Sequence, residues 1–303
     1  MPQPHLEPLS YVSTSQLCGR TFYVGNGTVQ YGGSAGSNGN SGLSEREPWA
    51  TLDYAIGQCT AGRGDTIRIL PGHTETITAA AGVAMDVAGV CVIGAGQGTA
   101  RPTFTFTTAA GASFDISANN CLIENLYFIC NVGSQTAMVN ITGTDCVVRG
   151  CEWLHGTGSN HALIGVLATT ATRLLFENNR MFGLTTGTAG AVMVAGAAAF
   201  AITGGDKLVI RNNVFSGRWT AATVGVINVR TTATTNAVIR DNYIGNFTTS
   251  AAIGIIDTIT GSTGLIEGNR YQILTGTAPL TGVTWQWGLN YYSATIGTAM
   301  TVI

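Results

Sequence analysis

CLIENLYF, at residues 121–128, is the first of six related phrases on which the interpretation of this chain depends. The other five are CVVRGCEW from Cys146, LLFENNRM from Leu174, LVIRNNVF from Leu208, AVIRDNYI from Ala237 and GLIEGNRY from Gly264. The phrases recur every 25–34 residues, a spacing typical of repeat architectures. Each has β-branched or aromatic residues followed by Asn or Gly, the pattern of a strand and a turn. Because one strand cannot bury its own apolar face, the copies must stack on one another.

Aligning the copies produces three columns of related residues. The third position is always apolar: Ile123, Val148, Phe176, Ile210, Ile239, Ile266. The eighth position carries large apolar residues that would fill an interior: Phe128, Trp153, Met181, Phe215, Ile244, Tyr271. The sixth position of the later copies is Cys151, Asn179, Asn213, Asn242, Asn269. Identical amides one strand spacing apart, about 4.8 Å, can form a hydrogen-bonded ladder.

This stack resembles the right-handed parallel β-helix of the pectin-lyase-like superfamily. The predicted fold is therefore all-β: a right-handed parallel β-helix of roughly eight coils, with an N-terminal capping helix at Pro48–Cys59. The segments PWATLDYAI, from Pro48, and GDTIRILPGHTETI, from Gly64, resemble the opening of many β-helix proteins, including phage tail spikes and other virion proteins. A second line of strands is expected at Phe114–Ile116, Met138–Ile141, Leu163–Leu167, Val192–Val194, Val224–Val229 and Ile253–Ile256.

Composition divides the chain into three parts. Residues 1–45 are predicted to be an N-terminal arm and a flexible Gly/Ser loop, residues 46–275 the β-helix with its capping helix, and residues 276–303 a C-terminal cap. With 10% charged residues and 41 glycines among 303, the chain favours strands and turns over long helices.

The same composition bears on location and partners. A net charge of −2 argues against nucleic-acid binding, and no apolar run is long enough to predict a membrane span. The N-terminus lacks the pattern of a secretory signal, and the seven cysteines, without a CxxC pair, are interpreted as mainly reduced core side chains. We therefore expect synthesis in a reducing host cytoplasm.

Catalytic residues are not expected. The galacturonan hydrolases of this superfamily carry Asn-Thr-Asp, Asp-Asp and Gly-His-Gly motifs, and its lyases carry an acidic calcium cluster; neither pattern occurs in this sequence. Glu124 and Glu177 are separated by one intervening coil, so their backbones should lie about 9.6 Å apart. That separation is compatible with the two carboxylates of an inverting glycoside hydrolase. A solvated salt-bridge ladder is the simpler interpretation of their column: Glu124, Arg149, Glu177, Arg211, Arg240, Glu267.

Histidines and tryptophans give weaker signals. His155 and His161 flank one turn near Glu152, and we interpret them as surface turn residues rather than as a metal or acid–base site. No zinc spacing or phosphate-binding loop is convincing, so no metal and no cofactor are expected. Three side chains are candidates for stacking on a sugar ring: Trp219, which is expected to be the most open, and Trp285 and Trp287, for which packing at the C-terminal end is the alternative.

The second position of the phrase is also apolar, although it should point outward if the third points inward. This column is called the stripe: Leu122, Val147, Leu175, Val209, Val238, Leu265. It is covered either by the chain's own loops or arm, or by another protein as an assembly interface.

The functional hypothesis that follows is a non-enzymatic structural protein of a bacteriophage virion, most simply a capsid decoration (cement) protein. It would form a homotrimer and bind the major capsid protein or another virion protein. The alternative is a tail spike or fibre that binds or depolymerises a host surface polysaccharide, and a bacterial surface adhesin is a weaker third hypothesis. Fold alone cannot distinguish among these classes.

Overall fold

The computed structural model describes residues 19–26, 33–157, 160–183, 198–217, 219, 224–247, 253–273, 280–282, 284–293 and 301–302. Within these ranges the regular structure is almost wholly β-strand. The exceptions are an α-helix at Leu52–Gly57 and a 3-10 turn at Gly98–Ala100.

Three stacked sheets form the walls of a solenoid. Sheet A contains Thr21–Val24, Thr66–Ile69, Cys91–Gly94, Leu122–Glu124, Val147–Arg149, Leu175–Glu177, Val209–Arg211, Ala237–Arg240, Gly264–Glu267 and Gln286–Trp287. Sheet B contains Thr74–Ile77, Thr103–Phe106, Tyr127–Cys130, Glu152–Leu154, Arg180–Phe182, Val214–Gly217, Tyr243–Asn246, Arg270–Ile273, Tyr291–Ser293 and Thr301–Val302. Sheet C contains Val83–Met85, Phe114–Ile116, Val139–Ile141, Ile164–Thr169, Ala198–Thr203, Ile227–Val229, Ile255–Asp257 and Leu280–Thr281.

The chain passes through sheets A, B and C in turn and then climbs one level, so neighbouring strands within each sheet run parallel. The last described strand, Thr301–Val302, is an exception and pairs antiparallel with Tyr291–Ser293. A small antiparallel hairpin, Gly156–Thr157 with Asn160–His161, leaves one corner between sheets B and C. The predicted all-β parallel solenoid is thus confirmed.

Each repeated phrase contains two strands rather than one. Its first half lies in sheet A and its last residues begin a strand of sheet B, with a two-residue corner between them. The first corner residue has a left-handed backbone, with φ between 55° and 67°, at Asn125, Gly150, Asn178, Asn212, Asp241 and Gly268. Gly, Asn and Asp tolerate that conformation best, which explains why this column of the phrase is restricted to them.

The interior columns lie where the sequence predicts them. The third and eighth positions of all six copies are at most 1% exposed. Rings stack from coil to coil, as between Phe128 and Trp153, whose centroids are 5.0 Å apart. The Asn ladder is also confirmed: the side-chain oxygens of Asn179, Asn213 and Asn242 each accept a backbone N–H from the coil below, at 2.9–3.0 Å.

Sheet C was harder to place from the sequence. The strand expected at Val192–Val194 lies outside the described residues, and the strand of that coil is Ala198–Thr203. The stretch 189–202 is Ala-rich and apolar throughout, so no alternation marks where the strand begins. The six described cysteines are free, and five of them are buried.

The N-terminal segment is more closely attached to the solenoid than its composition indicates. Thr21–Val24 extends sheet A, and residues 33–44 are hydrogen-bonded to the segment that leads into the helix. Asn38 accepts the amides of Ala50 and Thr51 through its side-chain oxygen, at 3.0 and 3.3 Å. The helix Leu52–Gly57 lies within the predicted range and has three buried residues. Its role in closing the solenoid end stays a prediction.

Candidate functional site

The stripe on the outer wall of sheet A is the main candidate for a functional surface. Parallel pairing aligns its members at one position of successive strands, from Leu122 through Val147 and Leu175 onward. Leu122 and Leu175 are 3% and 9% exposed, whereas the other four are half-buried. Members lie about 4.8 Å apart and shield one another. The apolar area that the stripe exposes to solvent is therefore smaller than the area of six separate side chains. Its role as an assembly interface stays a proposal.

The corners on both sides of this wall are tight. The corner to sheet B has two residues in each of the six copies, and the corner from sheet C turns through another left-handed residue. The second group has φ between 52° and 58° and consists of Asn120, Asp145, Arg173, Lys207 and Asn236. Longer insertions occur instead between sheets B and C, as between Phe182 and Ala198. The wall of sheet A is consequently free of insertions in these coils.

The charged column beside the stripe forms separate ion pairs. Arg149 contacts Glu124 at 2.8 Å, and Arg211 contacts Glu177 at 2.8 Å. Arg240 approaches Asp241, at 4.0 Å, rather than a residue of its own column. The predicted ladder is therefore partly formed, and both glutamates considered as a catalytic pair are bound to a guanidinium.

The corner column on the other side of the stripe is also charged. Arg173 makes a two-pronged contact with Asp145, at 2.5 and 2.6 Å, and Lys207 lies 3.2 Å from Asp206. The Arg173 guanidinium holds the pKa of Asp145 below its ordinary value. The stripe thus runs between two columns of paired charges.

The histidines are buried, so their interpretation as surface turn residues was wrong. His155 is 0% and His161 9% exposed. Strand alternation explains His155: Trp153 points inward, and a side chain two residues further on points the same way. Glu152 points to the opposite face, where it contacts Arg101 at 3.0 Å. A site combining Glu152 with His155 is therefore excluded by the geometry of the strand.

His155 has an unusual environment for an ionisable group. Neither ring nitrogen has a hydrogen-bond partner among the described residues, and the ring lies edge-on to Trp219 with centroids 6.1 Å apart. A Cβ on Gly165 would lie 2.3 Å from His155 Nε2, so the imidazole packs directly on this glycine. Burial lowers the pKa of His155 to about 3. The side chain is therefore neutral at ordinary pH.

The tryptophans differ sharply in exposure. Trp219 is 0% exposed, so the expectation that it is open was wrong, and Trp285 is 5% exposed, with its indole N–H donating to Asp257 at 2.7 Å. Trp287 is 50% exposed, and Tyr291 nearby in sequence is 37% exposed. Trp287 continues the inward column above Ile266 in the last strand of sheet A, where no further coil covers it among the described residues. Of the three sugar-stacking candidates, it alone presents a ring to solvent.

A buried carboxylate at the start of the solenoid has a structural role. Asp65 is 0% exposed and accepts the amides of Arg20 and Thr60, each at 2.8 Å, as well as a two-pronged contact from Arg63. Burial alone would raise the pKa of Asp65, but the guanidinium and the two amides outweigh it and hold that pKa below the ordinary value. Asp65 thus ties the first strand of sheet A to the end of the capping segment.

In the part of the chain that the structure describes, no group of three or more His, Cys, Asp or Glu side chains could hold a metal ion. No described helix is long and apolar enough to cross a membrane.

Comparison with known proteins identifies a fold and no closer relationship. No family model and no curated protein matches the sequence. Among solved structures, a rhamnogalacturonan lyase is similar with a TM-score of 0.56 and 12% identity, over 94% of this chain and 79% of the lyase.

Two further likenesses are weaker. The pectate lyase Pel9A has a TM-score of 0.41 and 12% identity, over 93% of this chain and 81% of its own. The tailspike protein of E. coli bacteriophage HK620, in complex with pentasaccharide, has a TM-score of 0.40 and 12% identity, over 90% of this chain and 52% of its own. Scores this low add nothing to the assignment. What the wall order and the likeness to the rhamnogalacturonan lyase establish together is that this chain is a right-handed parallel β-helix.

Proposed function

We propose that the protein is a non-enzymatic structural component of a bacteriophage virion and, within that class, a decoration (cement) protein on the outside of the capsid. The observation that carries this proposal is the outer wall of sheet A, where an apolar stripe runs between two columns that contain paired charges. Such a wall suits packing against another protein. The resemblance of the segment from Pro48 to virion proteins supports the phage assignment.

The proposed partners are further copies of this chain and a virion protein, most simply the major capsid protein. The stripe would face other copies in a homotrimer, and residues 1–20, mostly outside the described ranges, would attach the trimer to the particle. The protein would be made in the host cytoplasm and act on the virion. It would require no cofactor, metal, nucleic acid or membrane.

Self-association is tested on the stripe. The isolated protein should scatter light as three times 31.3 kDa. A Val209→Asp, Val238→Asp double variant should dissociate, because two charges would be buried without partners in the interface. A matched Thr76→Asp, Thr105→Asp variant, on sheet B, should keep the wild-type mass. A wild-type monomer at all concentrations would contradict the proposal.

Attachment and location are tested separately. Deleting residues 1–18, which keeps the bond from the Arg20 amide to Asp65, should leave the fold intact but abolish incorporation into particles. Electron microscopy with an antibody to this chain should label capsids; labelling confined to tails would favour the alternative, a tail spike or fibre.

That alternative, binding or depolymerising a host surface polysaccharide, is favoured by the exposed rings of Trp287 and Tyr291. We expect the purified protein to release neither reducing ends nor unsaturated products from acidic polysaccharides, because Glu124 and Glu177 are each held by an arginine. If the protein does turn over a polysaccharide, and if Glu177→Gln abolishes this activity while the control Glu45→Gln does not, the protein is a depolymerase instead.

A further inference from the structure

In two consecutive coils, the charged columns on either side of the stripe carry opposite charges at the same level of the solenoid. In the coil of Val147 the corner residue is Asp145 and the outer residue is Arg149. In the next coil the signs reverse, with Arg173 at the corner and Glu177 beyond the stripe. Each column lies two residues from the stripe, about 6.6 Å along the strand.

Resting on the proposed self-association, we propose that copies of this chain pack side by side, parallel and level, with the corner column of one copy against the outer charged column of the next. A symmetry axis parallel to the solenoid keeps every copy at the same height, so coil meets equal coil. Arg149 then faces Asp145 of the neighbouring copy, and Glu177 faces its Arg173. The stripes lie alongside these contacts.

This arrangement joins the ion pairs within each chain into one network of alternating sign. Glu124 and Arg149 of one copy are followed by Asp145 and Arg173 of the neighbour, and then by Glu177 and Arg211 of the first copy. The side chains of Asp145, Arg173 and Arg149 are 38%, 39% and 35% exposed, so they remain accessible to a second partner, whereas Glu177, at 12%, offers a smaller exposed surface.

The network specifies the level at which the copies meet. Shifting one copy by a single coil sets Asp145 against Glu124 or Glu177, and Arg173 against Arg149 or Arg211. The like charges meet because the signs alternate over these coils. Lys207, one coil further along, would face Arg211, but its own Asp206 lies 3.2 Å away and offsets its charge. Exposed ion pairs contribute little to affinity, yet like charges in contact exclude wrong registers.

A charge exchange within the corner column tests the proposal. Asp145→Arg combined with Arg173→Asp retains an ion pair inside each chain, so the unfolding midpoint of the isolated chain should not change. Between copies it sets Arg against Arg149 and Asp against Glu177, and we expect self-association to weaken at least about tenfold at low salt. Adding four substitutions that reverse the outer column should restore association to within about threefold of wild type. These are Glu124→Arg, Arg149→Glu, Glu177→Arg and Arg211→Glu.

A cross-linking experiment tests the level directly. In an Asp145→Cys, Arg149→Cys variant the two new cysteines of one chain are four residues apart along extended chain, about 13 Å, whereas a disulfide joins Cα atoms less than about 7 Å apart. Oxidation with glutathione disulfide, which is reduced to glutathione as each protein disulfide forms, should convert most chains into covalent oligomers. Each single variant should stay uncross-linked.

The outcomes separate the inference from the proposed function. A wild-type oligomer that tolerates the corner exchange, or that does not cross-link, overturns the level arrangement and leaves self-association in place. A wild-type monomer overturns both.

Discussion

We expect the free energy of unfolding to fall by about 1.4 kcal/mol for each pH unit between about pH 6.5 and about pH 3, because of His155. The unfolded imidazole titrates near pH 6.5, whereas burial lowers the pKa of the folded one to about 3. Between these values the unfolded state binds the extra proton, so stability decreases as the pH decreases. The full effect is about 5 kcal/mol, a large part of the stability of a typical domain.

The measurement is chemical denaturation between about pH 6.5 and about pH 5, where His155 should account for a loss of about 2 kcal/mol. This window lies mostly above the range in which Asp65 and Asp145 matter. Their pKa values are lowered, so their contributions are lost only as the pH falls below that of an unfolded carboxyl group, about 4.

A His155→Phe variant provides the matched control, because a ring of similar shape replaces the imidazole without a titrating group. We expect a flatter dependence of stability on pH over the same window. If wild type and variant lose stability in parallel, His155 must gain a partner or solvent on protonation, and the burial seen at this position would not persist in solution.

The repeat was readable from the sequence because each column is filled by chemically similar residues. Ile123 and Val148 could share only an interior column, and the Asn column could satisfy itself only through stacking. Stacking fixes the register of one coil on the next. Once the inward positions of one phrase are identified, the same positions of the other five phrases are therefore inward too. The fold and the interior of sheets A and B were therefore accessible without a structure.

The same alternation, extended past each phrase, predicts the burial of His155 and Trp219. Trp153 belongs to the inward column and His155 follows two residues later; Phe215 belongs to the same column and Trp219 follows four residues later. The polar groups of His155 and Trp219 and the turn residues next to them favour the surface, which is the opposite of what the alternation predicts. Gly165, within a strand of sheet C, was the further signal, since a strand glycine indicates close approach by another group.

The charge relation across the stripe was missed for a different reason. The sequence presents Asp145 and Arg149 as near neighbours, but it does not show that Asp145 lies at a left-handed corner and belongs to a second column. Arg173 therefore had no assigned partner. The contact between Arg173 and Asp145 results from the stacking of two consecutive coils, which the sequence does not show.

The other large effect is expected from replacing one amide of the ladder. Asn213 is 1% exposed; its side-chain oxygen accepts the amide of Asn179 at 2.9 Å, and its side-chain nitrogen donates to Phe176 O at 3.0 Å. Leucine fills the space but satisfies neither group, so Asn213→Leu leaves a buried N–H and a buried carbonyl without these partners. At about 1–3 kcal/mol for each such group, we expect a loss of about 2–6 kcal/mol.

Asn178, next to the ladder, separates backbone from hydrogen-bond effects. It is exposed and has φ of 56°, so Asn178→Leu should cost about 1–2 kcal/mol for the left-handed backbone alone, whereas Asn178→Gly should lie within about 0.5 kcal/mol of wild type. The expected order of destabilisation is Asn213→Leu, then Asn178→Leu, then Asn178→Gly, measured as denaturation midpoints at one pH. Equal midpoints for the two leucine variants would mean that the ladder amides are replaceable by packing. The unbroken run of Asn in this column, from Asn179 to Asn290, would then need another cause. Asn290 continues the same bonds at the last described coil, where it accepts the amide of Asn269 at 3.1 Å.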